Sequence, residues 1–201
     1  MALIEFTRIY LAAFYTLVAV FYTVRIISMK RQMNSEVVFV GERYCSNWKN
    51  HITFRLFRLL IWGSCLLRLY QPSFDGYLGL FPALQFTPVI LTGVILLTLG
   101  FTATVILNVN MGKDWRSGID PNGPHKIISS GIYQYSRNPM FVCVAISQLG
   151  FFLALPSVFS LVCLIVGVYT LNSQAIVEEK HLLETSNQDY QTYYAKVRRW
   201  I

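Results

Sequence analysis

Residues 125–141 read HKIISSGIYQYSRNPMF and join a polar segment to a long apolar run. Pro139 has no amide hydrogen and a fixed φ, so it fits the first turn of a helix and disrupts later turns. Asn138, just before it, is a favourable N-cap residue. A helix is therefore predicted to begin at Pro139, after a polar passage in which Gly131 permits a backbone bend and Arg137 adds a cation.

The start of this predicted helix suits a ligand. Its first turn has N–H groups without intrahelical partners and a partial positive charge, which favour a carboxylate or another acceptor-rich group. A well-capped helix with Arg137 extended towards a membrane surface explains the same residues equally well. Both interpretations stay open at this point.

The composition indicates an integral membrane protein. Of 201 residues, 54 % are hydrophobic and 13 % charged, whereas soluble domains have about 45–50 % and about 25 %. No nucleic-acid partner is expected, since basic loops that face anionic lipid explain the net charge of +7. No metal site is expected either, because the cysteines lack metal-binding spacing and are predicted to be buried thiols: Cys45, Cys65, Cys143 and Cys163.

Five segments are predicted to be transmembrane helices: residues 3–27, 52–70, 86–109, 139–155 and 158–177. The second is the most polar, because it contains Arg55, Arg58 and Arg68. The third carries small residues suited to close helix packing. A turn at residues 156–157 makes the last two helices a tight hairpin. The expected fold is therefore all-α.

Charge sets the expected orientation. Lysines and arginines concentrate before the second helix, before the fourth and after the fifth. The positive-inside rule places these segments in the cytoplasm and the N-terminus outside. Two predicted helices separate residues 125–141 from the C-terminal tail. Both segments therefore lie on the same side of the membrane, where they can form one site.

Glu178 and Glu179 end the last apolar segment, where carboxylates oppose the helix dipole unless the helix continues or a cation is near. Arg137 or the ammonium group of a ligand would supply that cation. Adjacent helical residues point about 100° apart, so one glutamate can face a cavity while the other meets a structural partner. The alternative is that both glutamate side chains are simply solvated.

The tail carries a second amphipathic pattern. Apolar and aromatic residues recur at i, i+3, i+4 and i+7, namely Tyr190, Tyr193, Tyr194 and Val197. This spacing predicts an interfacial helix, which either closes over a site or anchors the chain to the membrane.

Taken in order, these motifs resemble the isoprenylcysteine carboxyl methyltransferase family and its bacterial relatives. The family pattern H-x-L-V-x-x-G-x-Y is similar to residues 125–133, R-H-P-x-Y to residues 137–141, and E-E followed by Y-x-x-Y…R to residues 178–201. Phospholipid N-methyltransferases share the N-P-M and E-E elements more loosely. The resemblance implies a cofactor-binding methyltransferase core in residues 111–201, with residues 1–110 as transmembrane helices on the substrate side.

The resemblance also implies S-adenosylmethionine as cofactor in a cytoplasm-facing pocket. The implied acceptor is a lipophilic small molecule or a prenylcysteine-like group that enters from membrane lipid and is methylated on a carboxylate, thiol or hydroxyl. Carried over by position, the catalytic residues are Arg137, Asn138 and Glu179. The cofactor-binding residues are His125, Gly131, Tyr133, Tyr135, Arg137, Asn138, Pro139, Phe141, Glu178 and Glu179, and the substrate-binding residues are Arg198 and Arg199.

The chemistry of these residues agrees with that cofactor. A glutamate suits its ammonium group, a helix N-terminus or arginine suits its carboxylate, and an aromatic ring such as Tyr133 or Tyr135 suits its sulfonium. Two positions differ from the family, since Asn138 replaces histidine and Phe141 replaces tyrosine. Asparagine does not titrate near neutral pH, so Asn138 cannot act as a base. A nicotinamide-dependent membrane reductase and a non-catalytic membrane protein that keeps the fold are the alternatives.

Overall fold

The computed structural model describes residues 2–121, 123, 127–185 and 188–201. Across these residues the fold is helical, as predicted. The α-helices are α1 (Ala2–Met33), α2 (Ser46–Tyr70), α3 (Thr87–Asn110), α4 (Pro139–Ala154), α5 (Val158–Thr185) and α6 (Gln188–Lys196). A parallel pair of two-residue strands, β1 (Val38–Phe39) and β2 (Ser117–Gly118), ties the segment after α1 to the segment after α3.

The chain is a multi-pass membrane protein by helix length and composition. Within the described residues, α1, α3 and α5 are long and apolar enough to span a bilayer, and α4 is a shorter apolar helix. Helix α2 is long enough, at 25 residues, but its arginines make it too polar to meet the same criterion. The predicted number of five spans is therefore reached only when α2 and α4 are counted.

Helices α1, α2 and α5 are longer than the predicted spans. Helix α1 continues from residue 27 to Met33, and α5 continues from residue 177 to Thr185. Helix α2 begins at Ser46, six residues before the predicted start, and the half-exposed thiol of Cys45 caps it by accepting from the N–H of Trp48 (3.3 Å). These extensions are polar, so hydrophobicity alone does not reveal them.

Helices α3 and α4 touch along their backbones. A Cβ atom on Gly93 would lie 2.2 Å from the nitrogen of Ala154, and one on Gly150 would lie 2.2 Å from the nitrogen of Leu97. Only glycine permits this approach, so the predicted close packing of the third apolar helix is confirmed.

Helix α2 runs antiparallel to α5. At one end the amide of Asn50 donates to Gln174 (3.0 Å), and at the other end Cys65 and Cys163 lie in the same hydrophobic core. Cys143 is buried as well, and all four cysteines are free thiols. The prediction that all four are buried is wrong for Cys45, which is half-exposed because it lies at the polar start of α2. Pro156 and Ser157 turn the chain between α4 and α5, which form the predicted hairpin.

The arginine at position 68 illustrates how a charge is accommodated in α2. Its side chain is 2 % exposed and its Nε lies 2.6 Å from the carboxylate of Asp75, which Arg8 also contacts at 2.6 Å. Since one aspartate joins two arginines from different helices, this cluster ties the start of α1 to the end of α2.

Candidate active site

Two adjoining cavities lie at the end of the molecule where α5 leaves its apolar part. The first, which we call the tail cavity, has a volume of about 260 Å³ and lies between residues 111–141, the end of α5 and α6. The second, the bundle cavity, has a volume of about 210 Å³ and lies among α1, α2, α4 and α5. Six residues line both: Trp115, Arg116, Gly118, Met140, Phe141 and Glu178. The cavities therefore share a wall.

Glu179 is the centre of a charged cluster beside the tail cavity. Its side chain is 4 % exposed. Its oxygens accept hydrogen bonds from Arg137 (3.1 and 3.2 Å), from Arg199 (3.0 to 3.2 Å) and from the amide of Asn138 (3.0 Å). Two guanidinium groups thus face one carboxylate, and we call these four residues the Glu179 cluster.

Arg137 also holds the C-terminal tail in place. Its guanidinium donates to the backbone carbonyls of Tyr194 and Val197 and lies 4.0 Å from the centroid of the Tyr194 ring. Its backbone N–H donates to the carbonyl of Arg198 (2.9 Å). Arg137 thus supplies the cation that the sequence suggested for the glutamate pair, and it does so for Glu179.

Asn138 occupies the predicted N-cap position of α4, but its side chain makes no capping hydrogen bond. Its amide donates to Glu179 instead, and its backbone N–H donates to the hydroxyl of Ser136 (3.1 Å). The charge-assisted bond to Glu179 orients the amide, and its oxygen, the atom that would cap the helix, accepts no backbone N–H of α4.

Glu178 lies in the cavity walls and does not belong to the Glu179 cluster. It lines both cavities and accepts a hydrogen bond from the amide of Gln174 (3.0 Å). Within the part of the chain that the structure describes, no cation pairs with it. The 100° spacing predicted this division between a cavity-facing and a structural glutamate.

A buried amide network holds Gln174 in turn. Its Nε2 also donates to Asn47 (2.9 Å), and its Oε1 accepts from Asn50 (3.0 Å). The amide of Asn47 donates to the carbonyl of Phe39 in β1 (2.8 Å). The start of α2 is thus connected to Glu178. Sequence reasoning missed these residues, although Asn47 and Asn50 are three apart and so share one helical face.

The structure brings some of the predicted cofactor-binding residues to the tail cavity. Seven of them line it: Tyr133, Arg137, Asn138, Pro139, Phe141, Glu178 and Glu179. Burial raises the pKa of Tyr133 to about 12, so the phenol is neutral near neutral pH. Its hydroxyl donates to the sulfur of Met111 (3.5 Å).

Other predicted residues lie away from the cavities. Tyr135 is 72 % exposed and lines neither cavity. Gly131 has a φ of +64° in a short 3-10 turn, which confirms the predicted bend, but it is not in either wall. Arg198 is exposed, and Arg199 belongs to the Glu179 cluster. His125 lies outside the described residues.

His51 is a further residue that the sequence did not single out. It lines the bundle cavity near the shared wall, where a Cβ on Gly118 would lie 2.6 Å from its Nε2. Burial, helped by the positive charges of Arg55 and Arg58, lowers its pKa from 6.5 to about 4. The imidazole is therefore neutral at physiological pH.

Fold and cavities together define a multi-pass membrane protein with two cavities that share a wall of six residues. The phospholipid methyltransferase family model matches residues 88–188 of the 201, and the chain belongs to this family. It is a membrane methyltransferase, and methyltransferases of this family use S-adenosylmethionine. The family shares a broad clan with the isoprenylcysteine carboxyl methyltransferases, so the resemblance seen in the sequence holds at that level. None of the curated proteins and none of the solved structures compared with the chain matches it.

The tail cavity fits this cofactor by its chemistry. Burial raises the pKa of Glu178 to about 7, and the side chain has no cationic partner among the described residues, so the ammonium group of the cofactor would stabilise its charged form. The first turn of α4, at Pro139 and Met140, lies in the wall and suits a carboxylate. Ile128 and Leu182 add apolar surface for an adenine ring.

Proposed function

We propose that the protein methylates the polar head of a membrane lipid held in the bundle cavity, with S-adenosylmethionine held in the tail cavity. The observation that carries this proposal is the shared wall of six residues, because a methyl group moves only between reactants that touch. S-adenosylmethionine supplies an electrophilic methyl group when bound. The chain's own contribution is to place the two partners and to exclude water between them.

The residues of the shared wall suit these tasks. Trp115 is buried and, with Met140 and Phe141, surrounds the junction with apolar surface that excludes water. Glu178 binds a positively charged group at this shared wall. Arg137, Asn138 and Glu179, which the sequence proposed as catalytic, bond to one another, so we propose that they position the wall and the tail around the reacting groups.

The two halves of the chain support the proposed division of labour. All described residues in the wall of the tail cavity lie within 111–201. The bundle cavity adds residues of α1 and α2, such as Tyr15 and Phe57, from within 1–110. We therefore propose residues 111–201 as the cofactor core and residues 1–110 as the acceptor side, with the tail cavity in the cytoplasm.

The acceptor class follows from two sources. The family implies a lipid, for which a phospholipid amine is the first acceptor to test. The resemblance to the isoprenylcysteine enzymes adds a prenylcysteine carboxylate as a candidate acceptor. A lipophilic thiol or hydroxyl is the remaining candidate.

The decisive experiment measures binding of S-adenosylhomocysteine to detergent-purified protein by calorimetry. Glu178→Gln is expected to weaken binding about 10-fold or more, since a bond to a charged partner contributes about 1.5–3 kcal/mol. Glu184→Gln is the matched control, because Glu184 is exposed on the same helix. NADPH is expected not to bind.

Glu179→Gln separates positioning from ligand contact. Removing the carboxylate leaves two guanidinium groups without their partner, which costs about 3 kcal/mol and lowers the thermal midpoint by about 5–10 °C. Glu178→Gln is expected to leave the midpoint close to that of the wild type. Folded wild-type protein that binds no methionine-derived ligand would overturn the proposed function. Transfer of labelled methyl groups to a lipid extract then identifies the acceptor.

A further inference from the structure

The charged residues in the wall of the bundle cavity differ in their partners. Arg116 pairs with Asp120 (3.3 Å) and donates to two backbone carbonyls. Arg58 and Glu178 have no oppositely charged partner within the described residues. The cavity therefore holds one uncompensated cation and one uncompensated carboxylate.

Arg58 is held at a defined place. Its guanidinium carbon lies 4.5 Å from the centroid of the Tyr22 ring of α1, and both side chains line the cavity. A ring face fixes one side of the planar group and leaves its edge N–H donors available. Those donors match the oxygens of a phosphate.

The antiparallel packing of α2 and α5 sets the order of groups along the cavity. Asn50 meets Gln174 at one level. Glu178 lies one turn further on α5, about 6 Å towards the tail cavity, and Arg58 lies about two turns further along α2, about 12 Å in the opposite direction. Both side chains line the bundle cavity.

Beyond Arg58 the wall is largely apolar, apart from the hydroxyl of Tyr15, whose ring packs against Phe151. Ile61, Phe151 and Cys163 line this end, and the latter two belong to the hydrophobic core. From the tail cavity inwards, the wall therefore presents a carboxylate, then a guanidinium, then apolar side chains. A phospholipid with an amine head matches this order from the guanidinium outwards. Its phosphate faces Arg58, its acyl chains face the apolar end, and its uncharged amine, the form that can accept a methyl group, faces the shared wall, where Glu178 holds the ammonium group of the cofactor.

We infer that Arg58, supported by Tyr22, binds the phosphate of a phospholipid acceptor and thereby sets its amine at the shared wall. This inference rests on the proposed lipid acceptor. It excludes a prenylcysteine as the preferred acceptor, because such a molecule places a carboxylate beside Glu178 and carries no phosphate for Arg58.

The test is equilibrium binding of dihexanoylphosphatidylethanolamine to the purified full-length protein by calorimetry, with no cofactor added. Arg58→Gln is expected to weaken binding about 10- to 100-fold, from the loss of charge-assisted hydrogen bonds, and Arg58→Lys to weaken it less. Arg55→Gln is the matched control, since Arg55 lies one turn away on α2 and is exposed as Arg58 is, but lines neither cavity. Binding of dodecylamine, which has no phosphate, is expected to be the same for Arg58→Gln and wild type.

Three results would overturn the inference: wild-type protein that does not bind the phospholipid saturably, Arg58→Gln that binds it as the wild type does, or Arg55→Gln that loses as much affinity. An equal loss of dodecylamine binding in Arg58→Gln would show a structural effect and would also overturn it. S-adenosylhomocysteine binding is measured separately, so failure of the proposed function and failure of this inference give different results. Arg58→Gln is expected to keep that binding, because Arg58 does not line the tail cavity.

Discussion

Neighbouring side chains have different roles at the wall that the two cavities share. Glu178 and Glu179 are neighbours in sequence, yet Glu178 lines both cavities, whereas Glu179 lines only the tail cavity and is enclosed by Arg137, Arg199 and Asn138. Helical geometry made a division of this kind predictable. Which glutamate takes which role depends on where Arg199 folds back, and that long-range contact has no signature in the local sequence.

His51 is expected to make the stability of the folded protein depend on pH. Its pKa in the folded protein is about 4, below the ordinary value of 6.5, so the unfolded chain binds more protons between these values. The stability that the neutral ring contributes is present above about pH 6.5 and decreases as the pH falls towards 4. His51→Gln is expected to remove this part of the pH profile. Thermal midpoints of both proteins between pH 4 and 7.5 provide the measurement, and parallel profiles would contradict the assignment.

Elements of secondary structure were predictable where hydrophobicity marks them. Helices α3 and α4 begin and end within one residue of the predicted spans, because Pro88 and Pro139 mark their starts. The strand pair β1–β2 was not predicted, since strands of two residues show no periodicity. The polar start of α2 was missed for a similar reason: Asn47 and Asn50 precede the apolar run, and their partner on α5 is remote in sequence.

The amide network between α2 and α5 gives a prediction at this scale. Gln174→Leu removes the partner of Asn47, Asn50 and Glu178, and leaving a buried polar group without a partner costs about 1–3 kcal/mol. We expect a lower thermal midpoint and weaker S-adenosylhomocysteine binding, because Glu178 is then no longer held. Asn172→Leu, on the same helix and outside the network, serves as the control. Equal effects of the two substitutions would show that the network has no special role.

The whole molecule depends on contacts that join distant segments. The sequence predicted a membrane protein with a cofactor region near its C-terminus. It did not predict that two cavities meet, because periodicity shows which face of a helix is apolar and not which helix lies beside it. The bundle cavity exists because α2 packs on α5, far away in the chain.

The backbone contact between α3 and α4 gives a prediction for the stability of the whole molecule. Gly150→Ala places a methyl group against the backbone of Leu97 and separates the two helices, which is expected to cost about 1–3 kcal/mol. Gly63→Ala is the control, since a Cβ there meets nothing within 4 Å and alanine is the better helix former. Thermal unfolding followed by fluorescence compares them. A Gly150→Ala protein as stable as the Gly63→Ala protein would contradict the packing.

The distribution of the cysteines has a practical consequence. Cys65, Cys143 and Cys163 are buried, whereas Cys45 is half-exposed and caps the first turn of α2. A thiol-reactive dye added to the folded protein is therefore directed to one position, ahead of the amide network that reaches Glu178. The rate at which Cys45 reacts reports how often the first turn of α2 opens, and it does so without any engineered label.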